Sequence, residues 1–451
     1  MTTMKKCRFG AFLLAASLLM PGLASCASQD VGGTPDTADA EEKDTTVYEE
    51  KETDPYESKD YSASGIAVGG AAAGEKMSED FVRHTADFGL SLLKLQAPGE
   101  NTMLSPLSIL YALGMTANGA AGNTLSQMED VLFGGTEADT ANRYFLDYTQ
   151  SLPEGTAGVS LDIANSIWFN DRLAAFSVNT EFLSKNTTYY GAGVYGRDFA
   201  RPETLTEVNQ WVSDNTDGMI PSILNRLSGD DLMLLVNTVL FDGKWAQSYG
   251  ENDIRKGTFA AYGGAEQTDV DYLCSTEKGY FTLGEGKGFV RSYAERYSFV
   301  GILPDEGVDV YDYLASLDGE SLVDAIGNPT VKKTYVRIPE LTFDSEPEVK
   351  KSLEALGLTD AFCANAADFS RLGTFDGGNI YVSNVIQKTR IELTRDGTKA
   401  AAATMVSMVA TSAGPNVDPP MQIFLTRPFV FAITDNETGL VLFCGVVTEI
   451  E

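Results

Sequence analysis

The sequence has very few of the residues on which catalytic and metal-binding chemistry usually depends. His84 is the only histidine among 451 residues, and the five cysteines include no CxxC spacing. We find no Gly-x-Ser-x-Gly elbow, no His-Glu-x-x-His motif and no complete phosphate-binding glycine loop. Aspartate and glutamate are too abundant for counting to exclude a carboxylate pair, but nothing singles one out. The sequence therefore predicts no catalytic residue, no metal site and no cofactor, and His84 reads as a surface or capping histidine in a helix.

Positive charge is also scarce. Lysine and arginine number 33 against 64 acidic residues, which gives a formal net charge of -31 and a sequence pI of about 4.3. Such a surface repels the phosphates of nucleic acids and anionic lipid headgroups. Both are therefore excluded as expected partners. Apolar residues make up 43% of the chain, which is enough to build a substantial core.

The first residues contain an apolar run that is too short to span a bilayer. Lys5, Lys6 and Arg8 precede the apolar stretch 9–19, as in an export signal. The next residues, Leu23-Ala-Ser-Cys26, resemble the bacterial lipobox, whose cysteine is lipidated and becomes the first mature residue. We predict a signal peptide at 1–25 and a lipid anchor on Cys26. The protein would then be exported and anchored at the cell surface, exposed to the extracellular space, with the lipid as its sole membrane contact.

The other cysteines do not suggest a disulfide framework. Cys7 would leave with the signal peptide, and Cys274, Cys363 and Cys444 are an odd number without metal-ligand spacing. We expect them to be buried, inert thiols.

Residues 26–74 have the composition of a tether. Between Asp30 and Asp60, 12 acidic residues face three lysines, and few side chains are apolar. Such a segment cannot bury enough surface to fold, so we expect it to stay extended and disordered. The remaining residues, 75–451, have the composition of a folded domain throughout, and we predict a single domain there.

Helices dominate the first half of this globular region and strands the second. Ser105-Pro106 predicts a helix start, and Thr124-Leu-Ser-Gln127 and Thr204-Leu-Thr-Glu207 each suggest a capping box. The run 232–241 is nearly all apolar, as in a strand buried on both faces. The apolar runs 429–433 and 440–447 predict a C-terminal hairpin. The expected fold class is α+β.

The segment 396–414 combines features of a helix and a strand. Four consecutive alanines favour a helix, yet glycines stand at both ends and β-branched residues fill the middle. Read with a period of two, one face carries no charge, so the segment could enter a sheet without burying an ion. Taken alone, an ordinary surface helix or alanine-rich linker remains the simpler interpretation.

Several motifs, in their order along the chain, resemble those of the serpin family. They are Met103-Leu-Ser-Pro-Leu-Ser-Ile109, Asn165-Ser-Ile-Trp168, Leu235-Val-Asn-Thr-Val-Leu-Phe241 with Gly243-Lys-Trp245, Val336-Arg-Ile-Pro339, the run beginning at Gly397, and Arg427-Pro-Phe-Val-Phe431. The resemblance implies a large central β-sheet with additional sheets, surrounding helices and an exposed reactive loop, here about 395–420. It also implies a suicide substrate of serine-type proteases. The protease cuts the loop, and the loop then inserts into the central sheet before the acyl-enzyme can hydrolyse.

The resemblance assigns roles to individual residues of this loop. Gly397 and Thr398 match the hinge that begins insertion, and the small residues that follow match the inserting stretch: Ala400, Ala401, Ala402, Ala403 and Thr404. Family spacing, about fourteen residues from Gly397, puts the cut between Thr411 and Ser412. The family usually has an acidic residue where this chain has Arg395, and we expect a modest effect from that difference.

A second group of residues is implied to control the opening of the sheet. Ser105, Ser108 and Asn237 match a buried polar cluster, and Gln387 replaces the histidine that the family usually has there. Glutamine both donates and accepts hydrogen bonds, so the cluster can persist without a titrating group. Trp245 matches a tryptophan near the top of the sheet.

The loop also suggests the class of protease. No lysine or arginine occurs from Ala400 to Thr426, so trypsin-like enzymes lack a cation to bind. The small residues near the cut suit the primary pockets of elastase-like or subtilisin-like proteases. We expect a monomer. Two alternatives remain open here: a non-inhibitory serpin that acts as a binder or chaperone, and a solute-binding lipoprotein.

Overall fold

A computed structural model describes residues 58–61, 72–153, 158–294, 296–395 and 419–450, together with the backbone of 11–19. The helices are α1 (Glu79–Lys94), α2 (Pro106–Ala117), α3 (Gly122–Phe133), α4 (Ala138–Ser151), α5 (Thr180–Tyr190), α6 (Pro202–Asn215), α7 (Val310–Ser316), α8 (Gly319–Gly327) and α9 (Val349–Ala355). None of the described helices is long and apolar enough to cross a membrane.

The strands alternate with these helices at first and dominate the later part of the chain. They are β1 (Ala11–Leu19), β2 (Lys59–Asp60), β3 (Thr102–Leu104), β4 (Val159–Asn170), β5 (Phe176–Val178), β6 (Gly193–Arg197), β7 (Asp231–Gly243), β8 (Ile254–Ala260), β9 (Glu266–Leu283), β10 (Gly286–Ser292), β11 (Tyr297–Pro304), β12 (Thr330–Pro339), β13 (Leu341–Ser345), β14 (Gly373–Phe375), β15 (Tyr381–Leu393), β16 (Met421–Phe424), β17 (Phe429–Asp435) and β18 (Val441–Val447). The α+β prediction is confirmed.

Two large sheets organise the molecule. The main sheet has the strand order β13-β15-β1-β7-β4-β6-β2, and its pairs are antiparallel except for β4 with β6. The second sheet runs β16-β12-β9-β10-β11-β17-β18-β3, with β8 paired to β9. The predicted C-terminal hairpin is β17 with β18, which pair in antiparallel fashion.

Strand β7 is buried on both faces, as its apolar run predicts. Leu235 and Val239 belong to the core cluster on the side of α2, and α2 is itself buried at every position. Leu234 and Val236, which alternate with them, pack with Val208 of α6 on the opposite face. Burying both faces of a long strand removes a large apolar area from water, which stabilises the main sheet around β7.

One of the three predicted helix starts is correct. Ser105 is the N-cap of α2, and its side chain accepts a hydrogen bond from the backbone N–H of Ser108. The two capping boxes are wrong, since α3 begins at Gly122 and α6 begins at Pro202. Thr124 and Thr204 therefore lie inside the first turn. Both hydroxyls bond to other segments instead: Thr124 accepts from the N–H of Asp368, and Thr204 donates to the carbonyl of Asp198.

A short piece of the predicted tether packs against the main sheet. Lys59 and Asp60 form β2, which pairs with β6 at the sheet edge. The buried Arg197 donates to the carbonyl of Lys59 and, at 2.7 Å, to the Asp60 carboxylate. The ring of Tyr61 lies 5.2 Å from that of Phe169. The composition of 26–74 did not predict this contact. The charge of Asp60 is neutralised by Arg197, which lies 137 positions away in the sequence.

Candidate functional site

The main sheet holds an additional strand between β7 and β15. Backbone residues 11–19, the apolar stretch predicted as part of the signal peptide, form β1 there. It pairs antiparallel with both neighbours, from Arg390 to Tyr381 on one side and from Leu240 to Asp231 on the other. This position thus accepts an extended segment and supplies main-chain partners along both of its edges.

The predicted reactive loop begins at the end of one of these two strands. β15 ends at Leu393, and the loop follows directly. A segment that turned back after β15 and paired with it would run antiparallel to it, in the same direction as β1. Such a segment would take the position that residues 11–19 occupy.

The polar residues assigned by the resemblance form one buried network beneath this position. Gln387 on β15 donates to the carbonyl of Ser105 at 3.1 Å, and the hydroxyl of Ser108 donates to the side-chain oxygen of Asn237 at 2.6 Å. Ser105 and Ser108 are themselves joined at the start of α2. All four residues are at most 1% exposed. The network therefore joins β7 to β15 through the N-terminus of α2.

Sequence reasoning missed a fifth member of this network. The amide of Asn237 donates to the side-chain oxygen of Asn165 at 2.9 Å, and Asn165 donates to the carbonyl of Tyr190 at 2.8 Å. Asn165 extends the network onto β4. Its position in the motif Asn165-Ser-Ile-Trp168 could have indicated this role, because a buried amide inside an apolar strand needs polar partners.

Trp245 connects the C-terminal ends of β7 and β15. Its indole N–H donates to the carbonyl of Thr394 at 3.0 Å, just after the end of β15. Its ring stacks on Tyr293 at 4.5 Å. The side chain is therefore held on one side by packing and on the other by the residue from which the loop departs.

Arg395 has an acidic partner at the start of the loop. Its backbone N–H donates to the Glu340 carboxylate at 2.8 Å, and its Nε lies 3.5 Å from the same oxygen. A positive side chain is compatible with this site because Glu340, which directly precedes β13, supplies the opposite charge.

The remaining predicted site residues lie outside the described part of the chain. They are the anchor residue Cys26, the hinge and inserting residues Gly397, Thr398, Ala400, Ala401, Ala402, Ala403 and Thr404, and the predicted cut site Thr411 and Ser412.

His84 and the cysteines occupy separate places in the fold. His84 is half-buried, with Nε2 3.2 Å from the carbonyl of Val131, and burial lowers its pKa. Cys444 is buried and Cys274 partly so, but Cys363 is exposed, so the expectation of buried thiols is wrong for Cys363. Within the described ranges, no cluster of three or more His, Cys, Asp or Glu residues is arranged to hold a metal ion.

The chain is similar to proteins of one family. Residues 83–450 match the family described as Serpin (serine protease inhibitor). Iripin-5 of Ixodes ricinus is 29% identical over 377 residues, which cover 80% of this chain and 93% of that protein. An uncharacterized serpin-like protein of Thermococcus kodakarensis is 30% identical over 379 residues, which cover 82% and 86%. The crystal structure of the thermophilic serpin tengpin in its native state matches with a TM-score of 0.76 at 37% identity, covering 84% of this chain and 96% of tengpin.

Proposed function

Because the chain belongs to the serpin family, we propose that it inhibits serine-type proteases by loop cleavage and insertion. The protease cuts within residues 395–420, and the freed segment enters the main sheet before the acyl-enzyme is hydrolysed. One observation carries this proposal: the main sheet accepts a strand between β7 and β15, directly beside the strand from which the loop departs.

The dimensions of the sheet agree with the length of the loop. β7 and β15 each contain 13 residues, which corresponds to about 44 Å of strand. From Thr398 to Thr411 there are 14 residues, or about 45 Å when extended. A loop cut after Thr411 would therefore fill the position along its whole length, and a protease bound to Thr411 would be carried from one end of the sheet to the other.

The chemistry of the loop suits insertion. Thr398, Ala400, Ala402 and Thr404 share one face at a period of two, and none of them carries a charge. Entering the sheet would bury small side chains and satisfy the backbone donors and acceptors of both neighbouring strands, with no ion to desolvate. Insertion is therefore downhill once the chain is cut.

Trapping is then a competition between two rates. The protease serine forms an ester with the carbonyl of Thr411 and releases the amine of Ser412. Insertion must displace the protease before water attacks this ester. If insertion of the hinge were slow, water would hydrolyse the ester first, and the protein would behave as a substrate.

The sequence around the cut favours proteases with a small primary pocket. Val409-Ala-Thr-Ser-Ala413 contains only small side chains, and no lysine or arginine occurs from Ala400 to Thr426. The partners we propose are elastase-like or subtilisin-like proteases. The test is a panel of second-order inhibition rate constants combined with mass spectrometry of the released C-terminal fragment. A fragment that begins within two residues of Ser412 supports the proposal, whereas efficient trapping of a trypsin-like enzyme contradicts it.

We further propose that the protein acts at the cell surface, exported and anchored through a lipid on Cys26. The support is the order of charge, apolar stretch and lipobox-like motif at residues 5–26. Cys26→Ser should abolish incorporation of labelled fatty acid into the protein. Equal labelling of this variant and the natural chain would contradict the proposed anchor.

A further inference from the structure

A cavity of about 630 Å³ lies at one edge of the second sheet. Its walls come from β9, β10, β12 and β16 and from the segment 247–255 that follows β7. The volume falls within the range of sites that bind small molecules.

Arginines are concentrated around this cavity in a chain that is otherwise strongly acidic. Arg291 on β10 is 5% exposed, and its guanidinium lies over the ring of Tyr249 at 4.6 Å. It donates to the Glu277 carboxylate at 3.0 Å and to the carbonyl of Gln247. Its Nε–H has no hydrogen-bond partner among the described residues. This Nε atom is shielded from solvent, so Arg291 contributes to the wall of the cavity through its packing and its ion pair rather than through a free donor.

Two further arginines line the cavity without carboxylate partners. Arg337 on β12 is half-buried and stacks on the ring of Phe424 at 4.3 Å. Arg255 on β8 is exposed at the rim, and among the described residues its side chain donates only to the carbonyl of Ile254. Within the described ranges neither forms a salt bridge, whereas other arginines of this chain, such as Arg143 and Arg296, pair with acids.

The acidic groups near the cavity do not pair with Arg337 or Arg255. The Glu277 carboxylate accepts hydrogen bonds from Arg291 and from Ser275. Asp253 lines the cavity and accepts from the backbone N–H of Gly250 at 2.9 Å, so it brings one negative charge to the wall. Arg337 and Arg255 outnumber it, and neither forms a salt bridge with it.

We propose that this cavity binds a small organic or inorganic anion with several oxygens, held by the guanidinium groups of Arg337 and Arg255. Guanidinium groups bind carboxylates and phosphates in a planar, bidentate manner. The rings of Tyr249, Tyr335 and Phe424 would contact the apolar part of an organic ligand. This site does not depend on the proposed inhibitory function.

Cys274 provides a reporter inside the cavity. Its thiol lines the wall, and its pKa is raised by burial, an effect that Arg337 and Arg255 oppose. A bound anion would both cover the thiol and cancel the effect of the arginines, so alkylation of Cys274 should slow down. The exposed Cys363 serves as a reference within the same chain.

The experiment measures alkylation of Cys274 and Cys363 by iodoacetamide in the full chain, with peptide mass mapping. Inorganic phosphate and citrate are titrated separately at constant ionic strength set with chloride, so that the two arms distinguish a phosphate from a carboxylate ligand. The expected result is saturable protection of Cys274, and not of Cys363, by at least one of the two anions. Protection by neither, or protection that never saturates, would overturn the proposal.

Variants on one strand make the test specific. Arg337→Gln should weaken binding of the protecting anion by at least about tenfold. This is judged from the midpoint of the titration, because the variant's alkylation rate without anion differs from that of the natural chain. Lys332→Gln removes a charge from the same strand, at a position that does not line the cavity and alternates with Tyr335 and Arg337, and should leave the midpoint unchanged. Arg337→Lys retains the charge without the bidentate geometry and should fall between them. Equal midpoints for Arg337→Gln and Lys332→Gln would overturn the assignment.

Discussion

Asn237 and Gln387 lie opposite the same residue, Leu14, on the two sides of the strand position between β7 and β15. Beneath that position, Ser108 bonds to Asn237 and Ser105 bonds to Gln387. Because these side chains are buried, each polar atom depends on its partner. The spacing of the two strands is thus coupled to the N-terminus of α2.

Removal of Asn237 should destabilise the protein strongly. Asn237→Ala leaves the hydroxyl of Ser108 and the amide oxygen of Asn165 without their partner, so the free energy of unfolding should fall by about 2–4 kcal/mol. Urea denaturation measures this. Asn123→Ala is the matched control, because Asn123 is exposed and bonds to Asp360 at the surface. Similar losses for the two variants would contradict the coupling.

The single histidine should contribute to the pH dependence of stability. Burial lowers the pKa of His84 below its usual value of 6.5, so the unfolded chain binds this proton more readily than the folded chain. The contribution of His84 is therefore present above pH 6.5 and is lost as the pH falls through that value. The measurement is the difference in unfolding free energy between the natural chain and His84→Gln, followed from pH 8 to pH 5. A difference that stays constant, or that grows in acid, would contradict this account.

Capping motifs in the sequence predict the start of a helix correctly where the cap contacts only its own first turn. The start of α2 follows from Ser105-Pro106 because the cap and the proline act within one turn. Thr124 and Thr204 carry the same kind of signal, yet Asp368 and Asp198 use their hydroxyls, and each helix begins three residues earlier than a cap at its threonine predicts. A single sequence does not reveal which distant group will compete for a side chain.

The same distinction applies to the candidate site. The resemblance identified Ser105, Ser108, Asn237 and Gln387, and the fold brings them into one network. The pairing of Arg395 with Glu340 spans 55 positions and has no local signature. The contact of Asp60 with Arg197 was hidden for the same reason, since 137 positions separate them.

The ion pair at the start of the loop should tolerate reversal. Arg395→Glu places a second carboxylate beside Glu340 and should lower the free energy of unfolding by about 1 kcal/mol, a small effect because the Arg395 side chain is 42% exposed. Glu340→Arg also removes the acceptor of the backbone N–H of residue 395, so the double variant is judged by the coupling: its loss should be smaller than the sum of the two single losses. Chemical denaturation of both single variants and of the double variant completes the cycle. Losses that add would show that the charges do not interact.

Residues 11–19 should block trapping for as long as they remain attached. They occupy the position that the loop would enter, so the unprocessed Cys26→Ser chain should be cut by proteases yet form little covalent complex. A chain that begins at Ala27 should form the complex. Leu14→Pro in the unprocessed chain is the control, because proline removes a main-chain donor and weakens β1, and it should restore trapping. Equal complex yields from all three chains would contradict shared use of this position.

The central claim is that a cut loop inserts into the main sheet and traps the protease. The most direct measurement mixes the chain beginning at Ala27 with an elastase-like protease and follows the products by denaturing electrophoresis and mass spectrometry, with Thr398→Arg in parallel. The account predicts a covalent complex that survives boiling in detergent and lacks the fragment 412–451. It also predicts that Thr398→Arg is cut at the same bond but forms no complex, because insertion would bury a charge. Clean cleavage of the unaltered chain without any complex, or equal trapping by Thr398→Arg, would contradict the account.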